Sequence, residues 1–373
     1  MFIPLIPSPD FIQIFRSLFN KKLPYLNKAF IFENKSGYQF YSRGSEALAC
    51  ISKSMSGLNT VVFIPSFFCN ESLNDLRNTS AKIVFYKTNM DMTPDWRHIQ
   101  ELCEVWPPEL FVLTHYFGSV NDLSGAIKLH RNYGCELIHD CAHHLLPCDN
   151  IINSPGIIIF SPHKILPVPP LALVLYKKNI HRKLAKPKYI LCKKSELLWL
   201  LKRITQKYLS FALHVKLEQD PPDISGKIIK KEWKKSAVSL FSLLLFRAAS
   251  NNVFDVQKTR VENYKYFDLL LSQQQSNSHV KTFTLNNVSS PYSYIFVVSS
   301  MQKQNEIFQY MRVSEIPVNT WPDLPPEVMK NPEIFKDSIK LRKSILLLPV
   351  HQHINTEKKA YIGNKLLQEL GEI

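Results

Sequence analysis

Two residues pose the first chemical question in this sequence. Asp140 stands where the apolar run CELIH (135–139) ends, and Lys164 closes Ser161-Pro162-His163-Lys164, directly after a second apolar run, GIIIF (156–160). Taken singly, a strand-end Asp commonly caps the next turn, and a strand-end Lys is ordinarily a solvated cation. In an apolar setting, however, a Lys can act as an amine nucleophile. A carboxylate at one strand end and a Ser-x-x-Lys about twenty residues later at another have the spacing of a pyridoxal phosphate site. There the amine forms a Schiff base with the cofactor aldehyde, and the carboxylate keeps the pyridine nitrogen protonated so that the ring acts as an electron sink.

A phosphate group calls for backbone donors and a hydroxyl at a helix start. Ser42-Arg43-Gly44-Ser45-Glu46-Ala47-Leu48 supplies a Gly, a Ser and a following helix. The same residues also suit a helix that is capped and nothing more.

These residues must be positioned by the elements around them. From Val61 to Tyr176, short β-branched or aromatic runs alternate with helical stretches. The runs are VVFIP (61–65), KIVFY (82–86), LFVLTHYF (110–117), CELIH, GIIIF and LALVLY (171–176). Between them lie Asn70–Thr79, Asp95–Cys103 and Asp122–Tyr133, each opening on an Asn or Asp suited to a helix cap. This alternation predicts an α/β fold, a mostly parallel central sheet with helices on both faces and ligands beyond the carboxyl ends of the strands.

After Tyr176 the character changes. Residues 177–235 carry 17 Lys and Arg against 5 Asp and Glu, so this segment holds +12 of the chain's net +15. Within it, Leu197–Val215 has helical apolar spacing, with Lys202, Arg203 and Lys207 interspersed, and Pro221-Pro222-Asp223 closes the region. A long helix is expected over about 254–272. Thereafter the pattern gives strand (Tyr292–Val298), helix (Gln302–Met311), strands (Ile316–Thr320 and Ser344–Pro349) and helix (Thr356–Leu370). The division is thus a large domain over 1–250, including the basic segment, and a smaller C-terminal α+β domain over 251–373.

With 373 residues, 45% of them apolar, the chain has ample material for both cores, which excludes a disordered chain or a small stapled module. Seven cysteines without paired C-x-x-C spacing read as free thiols of a reducing compartment and argue against a structural zinc site; no metal site is expected. The N-terminal MFIPLIPSPDFIQIF lacks the basic start and unbroken apolar stretch of a secretory signal, so the expected location is cytoplasmic. The longest apolar run, Ala237–Phe246, is about half of the ~20 residues that a membrane span requires.

Several motifs in order resemble the DegT/StrS-type sugar aminotransferases, pyridoxal phosphate enzymes of fold type I. RGSEAL (43–48) is similar to the family's phosphate loop, and FIPSFFCNESL (63–73) to its P-[SA]-[FY]-x-[CF] strand end. THYFG (114–118), HDCAHHL (139–145), FSPHKIL (160–166) and the C-terminal LLLPVHQHINTEKKAYIGNKL (346–366) resemble its further motifs. The resemblance implies Lys164 as the covalent anchor and Asp140 as partner of the pyridine nitrogen. It implies Gly44, Ser45 and Glu46 as phosphate-holding residues, through their backbones and the Ser hydroxyl, with Ser161 as a further ligand. His143 would contact the ring hydroxyl. Phe68 is our choice for the aromatic that stacks on the cofactor, although Cys69 occupies the column filled by an aromatic in many members. Three departures stand out: Pro167-Val168-Pro169-Pro170-Leu171 replaces the usual Gly-rich stretch after the Lys motif, glycine is scarce at 10 residues, and His139 stands where many members have Glu.

The resemblance further implies transfer of an amino group from an amino-acid donor, glutamate being expected, to a nucleotide-linked keto-sugar, by a homodimer sharing its active sites. A lyase or dehydratase on the same cofactor is the related alternative. Retention of Lys164 favours transamination, since family dehydratases replace it. A non-catalytic relative acting as a binding scaffold is the alternative from another class, which the Pro-rich stretch supports and the intact Asp140 and Lys164 oppose. The basic segment lacks a nucleic-acid-binding motif, so no nucleic acid is expected. Its helix, with Trp199, Leu200, Leu201, Tyr208 and Phe211 beside Lys202, Arg203 and Lys207, either packs on the protein or lies on an anionic membrane surface.

Overall fold

The computed structural model describes residues 28–371 except 33, 36, 56–59, 147, 178–183, 185, 209–216, 225, 227–235, 274–279 and 284–289, together with 3, 4, 7 and 9. In its central sheet are β1 (Gly37–Tyr41), β2 (Val61–Pro65), β3 (Lys82–Tyr86), β4 (Leu110–Thr114), β5 (Glu136–Cys141), β6 (Ile157–Phe160) and β7 (Ala172–Tyr176), in the order β1-β7-β6-β5-β4-β2-β3. The five strands β2 to β6 run parallel, whereas β7 is antiparallel to both β6 and β1. The mostly parallel α/β sheet expected from the sequence is therefore present.

Helices cover both faces, and strand alternation sorts the side chains between them. On β4, Leu110 and Val112 join Ala47, Leu48 and Ile51 of α1 (Gly44–Met55). Phe111 and Leu113 face the other way, onto Ile99 and Cys103 of α2 (Trp96–Val105) and Ala126 and Leu129 of α3 (Ser124–Tyr133). Full burial of each such aliphatic side chain contributes roughly 1.5–3 kcal/mol. Asp95 caps α2 by accepting the His98 N–H at 3.0 Å, as its position predicts. The stretch 70–79 is less regular than expected, a 3-10 turn at Asn70–Leu73 followed by the single-turn helix Asn74–Arg77.

Two sequence expectations require correction. The run 110–117 does not stay extended. The strand stops at Thr114, and Tyr116–Gly118 form a 3-10 turn in which Phe117 lies at φ 55°. The turn is imposed from outside: a Cβ on Gly118, at φ +95°, would meet the Ser290 carbonyl oxygen at 2.5 Å. Nor is 316–320 a strand; it makes a single bridge, Asn319 with Leu347. Pro317 lacks an N–H, and the Val318 carbonyl is taken by Arg312 Nε at 2.7 Å.

In the basic segment, α4 spans Lys194–Tyr208. Its apolar residues do not share one face. Trp199 packs against the core beside β6 and β7, whereas Leu197, Leu198 and Leu201 are exposed. Arg203 is buried and sits over the Trp199 ring at 5.7 Å, so it does not belong to a solvated basic face. Phe211, which the sequence placed on this helix, lies outside the described residues, and so does the side chain of Tyr208. The helices α5 (Leu240–Ala249) and α6 (Val253–Ser272) follow, α5 capped by Ser239.

The remainder builds a second sheet from β8 (Val280–Thr282), β9 (Ser293–Val298) and β10 (Ile345–Pro349), antiparallel with β9 central. It packs with α6, α7 (Met301–Val313) and α9 (Thr356–Leu370), through residues such as Phe267, Phe296, Met311, Leu348 and Leu366, while α8 (Lys336–Ser344) precedes β10. A mixed cluster joins the two sheets: Phe67, Tyr116 and Phe117 pack with Ile295, Trp321 and Leu347. Arg77 adds a two-pronged pair to Glu327, at 3.0 and 2.8 Å. No helix among the described residues is long and apolar enough to cross a membrane.

Candidate functional site

Strand register brings the chemistry together. Thr114 on β4 lies beside Asp140 on β5, and Cys141 beside Phe160 on β6, so the ends of three neighbouring parallel strands open on one cleft. Asp140 is still within β5, one residue further than the CELIH run suggested. Ser161 follows β6 at once, and the 3-10 turn Pro162–Lys164 lifts Lys164 to the rim. The cavity at this edge has a volume of about 860 Å³, and Gly44, Ser45, Phe68, Asp140, His143, Ser161 and Lys164 all line it. Of the expected residues only Glu46 is not in its wall. Its side chain is buried and accepts a hydrogen bond from the Ser42 hydroxyl.

Each end of the cleft has its own character. At one end, α1 begins at Gly44, and the N–H groups of a first helical turn are free of intrahelical partners by geometry. A Cβ on Gly44 would lie 3.0 Å from Ser161 Oγ, so the missing side chain lets a hydroxyl approach the helix start closely. N–H dipoles and a hydroxyl converging there suit a phosphate. At the floor, the Asp140 carboxyl accepts the Ala142 N–H at 3.0 Å. Removal from water pushes this carboxyl above its usual range, and Lys164 and the Ala142 N–H pull it back. A carboxyl so placed is short of positive charge, and a protonated ring nitrogen would supply it.

Between these ends, Lys164 Nζ lies 3.2 Å from His143 Nε2. Burial, then Lys164, then His144 hold the His143 imidazole well below its usual titration range. His163, the neighbour of Lys164, is fixed by a 3.1 Å bond from Nδ1 to the Leu171 carbonyl, and burial lowers it to about 4. That bond ties the Lys turn across the Pro-rich stretch to the start of β7 and so anchors the loop. His139 is held neutral by its surroundings. It lies 3.2 Å from His115 Nε2 and 2.9 Å from the Pro155 carbonyl, and burial lowers it to about 4.

Phe68 lines the cavity while packing with Tyr41, Leu48 and Leu73 beneath α1. Cys69 also lines it, its thiol 3.8 Å from Asp323 Oδ1. The sequence did not point to several other wall residues: Phe117, Arg260, Tyr292, Trp321 and His351. THYFG contains the first of these and LLLPVHQHINTEKKAYIGNKL the last, but no local pattern marks Arg260, Tyr292 and Trp321, which arrive from more than ninety residues beyond Lys164. Together the residues fit pyridoxal phosphate: a phosphate cradle, a buried carboxyl for the ring nitrogen, and an amine between them.

No protein-family model matches the sequence, and no curated protein matches it. Solved structures do. The structure of NtdA from Bacillus subtilis with bound PMP superposes with a TM-score of 0.73 at 13% identity, covering 99% of this chain and 85% of that one. Helicobacter pylori PseC, an aminotransferase of pseudoaminic acid biosynthesis, gives 0.67 at 13% identity, covering 98% of each chain. The aminotransferase TlmJ from Streptoalloteichus hindustanus gives 0.63 at 14% identity, covering 99% of this chain and 92% of that one. At such identities the likeness establishes the fold, which is that of these aminotransferases.

Proposed function

We propose that this chain is a pyridoxal-phosphate-dependent aminotransferase that transfers an amino group from an amino-acid donor, glutamate in our reading, to a nucleotide-linked keto-sugar for glycan biosynthesis. The observation that carries the reading is the meeting of Asp140, Lys164, Ser161 and the α1 start in one cavity. Likeness of fold to NtdA and PseC supports it. Bound there, the cofactor supplies an aldehyde for amine exchange and an electron-accepting ring.

The protein's own groups have separable tasks. The Gly44, Ser45 and Glu46 N–H groups with the Ser161 hydroxyl bind the phosphate, joined by the Ser45 hydroxyl when it turns from Asp75 Oδ2, to which it donates at 2.6 Å. Asp140 holds a proton on the pyridine nitrogen by charge. Lys164 Nζ anchors the cofactor and, once freed by an incoming amine, carries a proton away from the substrate carbon as general base and delivers it as general acid. Phe68 packs against the ring. Retention of Lys164 favours this reading over a dehydratase, and the pairing of Asp140 with Lys164 favours it over a scaffold.

The same reading takes residues 1–250 and 251–373 as the two domains and a homodimer with shared sites as the working form, in the cytoplasm. Leu197, Leu198 and Leu201, with Lys194 and Lys202 beside them, form an exposed face on α4 that suits the surface of an anionic membrane. Borohydride reduction of the chain loaded with pyridoxal phosphate, followed by peptide mapping, tests the central claim. Label on Lys164, absent in Lys164→Ala with unchanged thermal stability, is expected. Label on another Lys, or none, would sink the proposal.

A further inference from the structure

The His143 ring is held by two near-parallel aromatic rings and at one nitrogen, by groups from different parts of the fold. Phe117 lies near-parallel to it, with centroids 5.3 Å apart and planes at 19°, and Tyr292 stacks more closely, at 4.6 Å and 10°; the two aromatic rings also stack on each other at 6.5 Å. Trp321 meets the ring edge-on at 5.9 Å. The Phe117 N–H points at His143 Nδ1, with the two nitrogens 3.3 Å apart. Phe117 achieves this in a left-handed conformation, φ 55° and ψ 17°, which side-chain-bearing residues seldom adopt and which is found preferentially where a site requires it. Its carbonyl meanwhile accepts the Tyr292 N–H at 3.0 Å. Tyr292 is pinned in turn, because buried Arg260 donates from Nη2 to the Tyr292 carbonyl at 2.7 Å and from Nε to that of Pro291 at 2.8 Å.

This arrangement dictates the tautomer. A backbone N–H can only donate, so Nδ1 must accept and carries no proton. A neutral imidazole has one ring proton, which is then on Nε2, the atom 3.2 Å from Lys164 Nζ. That contact is a hydrogen bond only when Nζ offers an electron pair.

Resting on the function proposed above, we propose that His143 is the docking partner of the freed Lys164 amine. Its Nε2–H donates to the Nζ electron pair when the amine is both free of the cofactor and unprotonated, and Phe117 and Tyr292 are the positioning residues that fix ring and tautomer. Docking keeps the freed amine beside the reacting carbon and returns it promptly when product leaves. It also explains why a strained turn from the central sheet and a clamped aromatic from the second sheet converge on one imidazole that carries no charge.

The first test reads the tautomer directly, by long-range proton–nitrogen correlation on the full chain, cofactor-free, with labelled histidine. The His143 signals are assigned by their loss in His143→Gln. Nδ1 without and Nε2 with a proton, unchanged from about pH 8 to about pH 5.5, is expected of a locked neutral ring. A proton on Nδ1, or titration in that range, would overturn the inference. The second test uses amide geometry: Gln can place an N–H near the Nε2 position, whereas Asn can reach only the Nδ1 position. Attachment of added pyridoxal phosphate to Lys164, trapped by borohydride, should proceed near the wild-type rate in His143→Gln. In His143→Asn it should slow roughly tenfold, about the value of one buried hydrogen bond. Equal rates in both variants would also overturn the inference. If wild-type protein shows no attachment at Lys164 the proposed function fails, and the tautomer measurement then decides the His143 assignment alone.

Discussion

Replacing Asp140 by Asn should separate the cost of the carboxyl from its use. Asn at 140 retains an oxygen for the Ala142 N–H, now at 3.0 Å, and leaves the β5 pairing to β4 and β6 untouched, because that pairing is made by backbone. In the cofactor-free chain, burial pushes the Asp140 carboxyl up, so carrying its charge at neutral pH opposes folding. The Asn variant without cofactor should therefore melt at or above the wild-type temperature. Turnover should respond in the opposite direction. A hydrogen bond to a charged partner is worth about 1.5–3 kcal/mol, and breaking a buried pair costs about 3–5 kcal/mol. A loss near 3 kcal/mol is about a hundredfold in rate, since each 1.36 kcal/mol is tenfold. The assay pairs thermal melts of the cofactor-free proteins with the rate at which glutamate changes the absorbance of the loaded ones. Turnover within about threefold of wild type would remove Asp140 from the reaction. A clear drop in cofactor-free melting temperature would instead make the carboxylate structural, and either result refutes the reasoning.

Three further outcomes follow from particular positions. Gly118→Ala forces a Cβ to 2.5 Å from the Ser290 oxygen at φ +95°, so a loss of at least about 3 kcal/mol in urea unfolding is expected, whereas Gly134→Ala, at φ +67° with open space around it, should lose only about 1–2 kcal/mol. Stability should fall as pH drops from about 6.5 towards 4: His139, His144 and His163, each lowered to about 4 by burial, stay unprotonated in the fold while the unfolded chain takes up protons below its ordinary value of 6.5. Buried Asp140 and Glu46, whose carboxyls are raised, act in the opposite sense. Melting temperatures recorded across that range check the balance, and a flat profile would refute it. Vesicles rich in acidic lipid should bind the chain at low salt and release it on charge reversal at Lys194 and Lys202. Arg203 is left alone, because it is buried against Trp199 and reversal there would disturb packing. Binding that survives the reversal would exclude the electrostatic mechanism.

How much of this was legible beforehand depends on where each residue takes its instructions. Runs such as VVFIP and KIVFY became strands at the expected residues because burial within a sheet is written locally in β-branched and aromatic side chains. Asp140, Ser161 and Lys164 were legible for the same reason: each stands at the end of such a run, and adjacent parallel strands carry their ends to one edge. THYF carries the same local signal as a strand, yet Phe117 turns left-handed, because Ser290 and Pro291, more than 170 residues away, occupy the space ahead. IPVNT likewise reads as a strand until Arg312 claims the Val318 carbonyl that a ladder would need. Tyr292, Trp321 and Arg260 left no local trace, since their positions follow from contact between the two sheets rather than from any pattern around themselves. The legible residues are those that would hold the cofactor, and the illegible ones are those that fix His143 above Lys164. The two groups meet only through tertiary packing, so the arrangement of the Lys164 amine is a property of the assembled chain.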